Sequence, residues 1–277
     1  MTAGAHTPQI AVFDSGVGGL TVARAIHERL PWCDLRYLGD TARLPYGTKS
    51  AATVLRYAVQ VADALVAGAG KIDVLVVACN TASACALPTL RQRHACPVLG
   101  VIEPGAERAI ATTRSRHVGV IGTERTIASG AYQQAIGARA PDVHVHALAT
   151  PLLAALAEEG WFDHPATDAA LDAYLRPFLA QPATATIDTL VLGCTHYPVF
   201  KTALGRALGR FLDHEVALVD SADAIAEEVA GVIDDAGHAP SRPGRIALYA
   251  TDVGERFDRV GRYFFPTTDV VIEAIDL

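Results

Sequence analysis

No apolar run in this 277-residue chain approaches the ~18 residues that a membrane-spanning helix needs; Val74–Cys79 is among the longest, and Asn80 ends it. Basic residues are also in short supply, 23 Lys and Arg against 30 Asp and Glu, for a formal charge of −7. A nucleic-acid surface displaces counterions with clustered Lys and Arg, so no nucleic-acid partner is expected. Lysine itself is scarcest: Lys49, Lys71 and Lys201 offer few candidates for a pyridoxal phosphate Schiff base, none in a recognisable context. The five cysteines (Cys33, Cys79, Cys85, Cys96, Cys194) make no CxxC pair and are odd in number, which points to reduced thiols in a cytosol. Met1–Gln9 lacks the basic and apolar regions of a signal peptide. These absences predict a soluble cytoplasmic enzyme with no membrane partner.

What the chain does have is a globular mixture, 51 % hydrophobic and 19 % charged, too apolar for disorder. Short β-branched runs alternate with Ala-rich stretches over almost its whole length. The spacing predicts strands at Ile10–Phe13, Leu35–Leu38, Asp73–Ala78, Val98–Ile102, Val118–Ile121, Val143–Leu148, Thr189–Gly193, Val216–Val219, Arg245–Ala250 and Val270–Ile275. Most are continuously apolar, as strands covered on both faces of a parallel sheet are. Val143–Leu148 alternates Val and His instead and reads as an edge. Helices are predicted over Ser50–Ala67, Thr81–His94, Thr126–Ala138, Thr167–Leu179 and Ala222–Asp234. The class is α/β, with mainly parallel sheets.

One internal echo carries chemistry. Val76-Val77-Ala78-Cys79-Asn80-Thr81 resembles Val191-Leu192-Gly193-Cys194-Thr195-His196: each is an apolar strand ending on Cys, followed by residues suited to capping a helix. Phe13-Asp14-Ser15-Gly16 has the same design with Asp in the reactive place. Two similar α/β lobes are expected, each placing a Cys at a strand's carboxyl end, where open α/β sheets bind ligands. A thiol before a helix N-terminus meets the positive end of the helix dipole and is activated by it. Metal binding is not expected, because Cys79 and Cys194 lack the short-spaced Cys and His companions of a zinc site. Two thiols suit inversion of a stereocentre, with a base on one face of a carbanion and an acid on the other. A single-cysteine hydrolase built on Cys194 and His196 remains open, as does a non-enzymatic ligand-binding protein on the same scaffold. Asp14-Ser15-Gly16-Val17-Gly18-Gly19 is not a dinucleotide loop, since Thr21 takes the third glycine position. Its backbone N–H groups and Ser15 could receive a carboxylate.

Phe13–Val22, Leu44-Pro45-Tyr46-Gly47-Thr48-Lys49-Ser50, Ala78-Cys79-Asn80-Thr81-Ala82-Ser83, Val101-Ile102-Glu103-Pro104-Gly105 and Leu192-Gly193-Cys194-Thr195-His196-Tyr197-Pro198 together resemble the glutamate racemases. These are cofactor-independent two-thiol enzymes of the aspartate/glutamate racemase superfamily. The resemblance implies a bacterial cytoplasmic isomerase that makes D-glutamate for peptidoglycan, and hence for the cell wall and cell shape. It implies two α/β lobes with the active site in the cleft between them, lobe one being residues 1–105 plus 215–277 and lobe two residues 106–214. Cys79 and Cys194 would be the acid/base thiols, Cys79 serving D-glutamate and Cys194 L-glutamate. Asp14 and His196 would assist them and touch substrate. Ser15, Tyr46, Gly47, Asn80, Thr81 and Thr195 would hold the carboxylates and the ammonium, and Glu158 is a further candidate, with Ala155 standing where the family has Pro. No metal and no cofactor is implied; the partner is the small-molecule substrate, and a homodimer is compatible. An aspartate or hydantoin racemase would share the thiols, but Leu44–Gly47 with Glu103-Pro104-Gly105 favours glutamate.

Overall fold

The protein is described by a computed structural model, which covers residues 6–68, 70–236, 242–265 and 272–277. The chain divides into two compact units, Met1–Val101 with Ala222–Leu277, and Ile102–Ser221. The first runs β1 (Gln9–Asp14), α1 (Leu20–Arg29), β2 (Asp34–Gly39), α2 (Ala51–Ala67), β3 (Val74–Val77), α3 (Asn80–Arg93) and β4 (Val98–Gly100). The second follows with α4 (Ile102–Thr112), β5 (His117–Gly122), α5 (Glu124–Ser129), α6 (Ala131–Arg139), β6 (His144–Ala149), α7 (Pro151–Glu158), α8 (Pro165–Leu179), β7 (Thr189–Gly193), α9 (Lys201–Phe211) and β8 (Ala217–Val219). The chain then returns to the first unit as α10 (Ala222–Asp235), β9 (Ile246–Ala250), α11 (Glu255–Phe264) and β10 (Ile272–Ala274).

Each unit holds a parallel sheet, ordered β10-β9-β2-β1-β3-β4 in the first and β6-β5-β7-β8 in the second. Strands β2-β1-β3-β4 and β6-β5-β7-β8 therefore share one connectivity. The echo seen in the sequence is thus a repeat of architecture, with β3 and β7 in corresponding places. Central strands are apolar because helices cover both faces: Val74–Val77 and Thr189–Gly193 are buried throughout. Leu65, Leu75 and Leu90 belong to the core of the first unit; Leu171, Leu192 and Leu204 belong to that of the second.

The strand pattern follows the sequence closely, and the differences have local causes. β6 is an edge strand, as its alternation predicts. The single helix expected over Thr126–Ala138 is two, because Gly130 adopts a left-handed φ of 66° and closes α5. β8 lies beyond the 214 boundary that assigned it to lobe one, yet Ala217–Val219 pairs with Thr189–Val191 and sits in the second unit. The first two residues of Val270–Ile275 lie outside the described residues. Among the described residues, no helix is long and apolar enough to cross a membrane.

Candidate active site

In each sheet the chain leaves a central strand, adds a neighbour on one side, then crosses to the other. Such a reversal opens a crevice at the carboxyl ends of the two strands that flank it. In the first unit these strands are β1 and β3, ending at Asp14 and just before Cys79; in the second they are β5 and β7, ending before Thr123 and Cys194. Both thiols stand at switch points.

Around Cys79 the backbone is tightly held. Ala78 N–H donates to Phe13 O at 2.9 Å, fixing the end of β3 against β1. Cys79 caps α3, its sulfur accepting from Ala82 N–H at 3.4 Å and its thiol donating to Ser15 Oγ at 3.5 Å. The thiol thus faces the positive end of a helix. Asn80 and Thr81 fill the first turn of α3 and are buried.

Asp14 is fully buried, and its Oδ2 accepts from Gly16 N–H at 3.1 Å and Gly19 N–H at 3.0 Å. The carboxylate therefore organises its own glycine-rich turn. Gly19 is obligatory there, since a Cβ would lie 2.4 Å from Asp14 Cβ. Tyr37 clamps the turn from β2, its hydroxyl donating to Gly16 O at 2.6 Å; burial, then the charges of Asp14 and Cys79, raise the Tyr37 phenol well above its ordinary pKa. Tyr46 and Gly47 are buried in the segment after β2, and the Tyr46 hydroxyl proton is committed to buried Asp40. Asp40 also accepts from Arg43 Nε at 2.8 Å and from Thr251 Oγ1 at 3.0 Å. The Tyr46 hydroxyl oxygen can still accept a hydrogen bond, whereas its carbonyl already accepts from Lys49 N–H at 3.0 Å.

The second unit builds its thiol site differently. Cys194 Sγ lies 3.7 Å from His196 Nδ1, and His196 Nε2 lies 3.3 Å from Glu158 Oε1, an ion-pair distance. Both His196 and Glu158 are largely screened from water, with side-chain exposures of 7 % and 12 %. Burial opposes charging of His196, but hydrogen bonding and charge from Cys194 and Glu158 outweigh it and hold its pKa well above the usual histidine value. An imidazolium in this position can hand a proton to the sulfur and be re-ionised under control of the carboxylate. Thr195 is buried between the two.

The geometry thus brings Ser15 to Cys79, and His196 with Glu158 to Cys194. Asp14 stands at the end of β1, where its Oδ2 receives the N–H groups of the glycine-rich turn. The register of β5 on β7 ends with Gly122 opposite Gly193, so the segments that begin with Thr123 and Cys194 leave the sheet from adjacent strands, a relation the sequence could show only through strand pairing. Among the described residues, no group of three or more His, Cys, Asp or Glu is placed to hold a metal ion. The arrangement is that of an α/β protein with a thiol and its own polar partner at the carboxyl end of one strand in each sheet.

Comparison with known proteins narrows that class. A model of the Asp/Glu/hydantoin racemase family matches residues 20–229. The chain is 51 % identical over 257 residues to the glutamate racemase of Geobacter metallireducens, covering 92 % of each protein. It is 44 % identical over 271 residues to that of Neisseria meningitidis serogroup C, covering 97 % of this chain and 96 % of the relative. Among solved structures, the Francisella tularensis glutamate racemase in complex with D-glutamate superposes with a TM-score of 0.88 at 32 % identity, covering 98 % of both chains. The chain belongs to the Asp/Glu/hydantoin racemase family. It is an amino-acid racemase, and the single-nucleophile hydrolase and the non-enzymatic binder are set aside.

Proposed function

We propose that this enzyme interconverts L- and D-glutamate without a cofactor, Cys79 and Cys194 exchanging the roles of base and acid at the α-carbon, and so supplies D-glutamate for peptidoglycan. The observation that carries this reading is the repeat: one strand connectivity occurs twice, and each copy ends its third strand on a cysteine with its own polar partner. A hydrolase needs one such thiol, whereas inversion needs two. Asn80 and Thr81 offer amide and hydroxyl groups at the start of α3, where carboxylates are stabilised, and Ser15 and Thr195 add hydroxyls from the turns that follow β1 and β7. Tyr46 and Gly47 shape the wall, and Asp14 holds the turn that presents Ser15. His196, steered by Glu158, manages the proton of Cys194.

The test is direct. L-Glutamate incubated with purified protein and nothing else should lose its circular dichroism signal as the mixture becomes racemic. L-Aspartate should persist under the same conditions. A constant signal with glutamate, or faster loss with aspartate, overturns the assignment.

A further inference from the structure

Glu158 reaches His196 only if α7 is held in place, and the start of α7 carries an unusual device. Thr150 occupies the N-cap position, where a threonine hydroxyl ordinarily accepts from a first-turn N–H. It makes no such bond. Its hydroxyl donates instead to Tyr197 Oη at 3.0 Å, and the Tyr197 hydroxyl donates to Thr150 O at 2.8 Å. Both residues are buried, Tyr197 completely. Thr150 N–H is spent on Gly122 O at 2.8 Å, at the end of β5. Tyr197 follows His196 directly in the chain, so this reciprocal pair joins the Cys194–His196 turn to the helix that ends in Glu158.

We infer that Tyr197 is a positioning residue: its paired hydrogen bonds with Thr150 set α7 so that Glu158 stays on His196. The argument is one of geometry. α7 is an eight-residue helix bearing Glu158 on its final turn, and a rigid rod pinned at one end transmits a displacement to the other. A phenol buried only for packing needs one partner; here it both gives and receives, at the cost of the helix's own cap. The inference rests on the racemase reading for its catalytic consequence, though not for the contact itself.

Two measurements separate the inference from that reading. The first is the NMR titration of the His196 imidazole in the wild type, Tyr197→Phe and Glu158→Gln, identified by the signal lost in His196→Asn. Tyr197→Phe should lower the histidine's titration midpoint in the same direction as Glu158→Gln, and adding it to Glu158→Gln should lower it no further. The second is kcat for glutamate racemisation: Tyr197→Phe should reduce it about five-fold or more alone and less than about two-fold in the Glu158→Gln background, the signature of groups acting as one. Thr150→Val serves if Tyr197→Phe does not fold, and Thr150→Ser, which keeps the hydroxyl, should restore wild-type values. An unshifted histidine, or equal losses of kcat in both backgrounds, overturns the inference. A shifted histidine in a protein that leaves glutamate untouched upholds the positioning and overturns the glutamate assignment.

Discussion

At the scale of single residues, the two thiols answer to different neighbours but should be equally indispensable. Cys79→Ser and Cys194→Ser should each abolish measurable racemisation in a folded protein, because a hydroxyl is far too weak an acid to replace a thiol. In D2O the wild type should place deuterium at Cα of the product enantiomer, which mass spectrometry reads. Asp14 poses a finer question, since its carboxylate already receives two backbone N–H groups. Asp14→Asn keeps an acceptor oxygen, so Tm should stay near that of the wild type while kcat falls on the order of 10²-fold if the charge assists the thiol. A lowered Tm with unchanged kcat would confine Asp14 to the turn. Gly19→Ala should cost about 1–3 kcal/mol in denaturant unfolding, since its methyl group would overlap Asp14. The cysteines were legible in the sequence because each ends an apolar strand before a capping run. The His196–Glu158 contact was not, because residues far apart in sequence meet only through the path of α7.

Elements repeat the lesson. The β–α alternation located every described strand, most of them because buried parallel strands are continuously apolar and β6 through its alternation. The break between α5 and α6 escaped because one glycine, Gly130, decides it through a left-handed backbone in an otherwise helical composition. On edge strand β6, the alternation that revealed the edge also brings three histidines together. His117 pairs with His144 across the ladder, and His117 Nδ1 lies 3.0 Å from His146 Nε2. Burial first, then the neighbouring histidine charges, lower the pKa of His146. The unfolded chain therefore binds this proton more readily than the folded one. Its contribution to stability is present above pH ~6.5 and is lost as the pH falls through the lower folded value. Tm should drop between pH 8 and pH 5.5, and His146→Gln, which cannot charge, should flatten that drop. An identical pH dependence in the variant would remove the cluster from the account.

On the scale of the whole molecule, the chain enters the second unit once, after Val101, and leaves it once, after Ser221. That unit has its own sheet and its own core, so residues 102–221 expressed alone should fold and melt cooperatively, as circular dichroism would record. A non-cooperative melt would mean that its core depends on the rest of the chain. The first unit has no such independence, because β9 pairs with β2 and reaches it only after the second unit has been made. For a ribosome adding roughly 5–20 residues per second, about 10 to 40 s pass between the synthesis of β2 and that of β9. Throughout that interval the nascent β2 offers an unfilled row of backbone donors and acceptors beside an apolar sheet. During translation this enzyme is thus open to strand invasion from its neighbours, and its yield in the cell should respond to chaperone supply and elongation speed more than the stability of the finished fold would suggest.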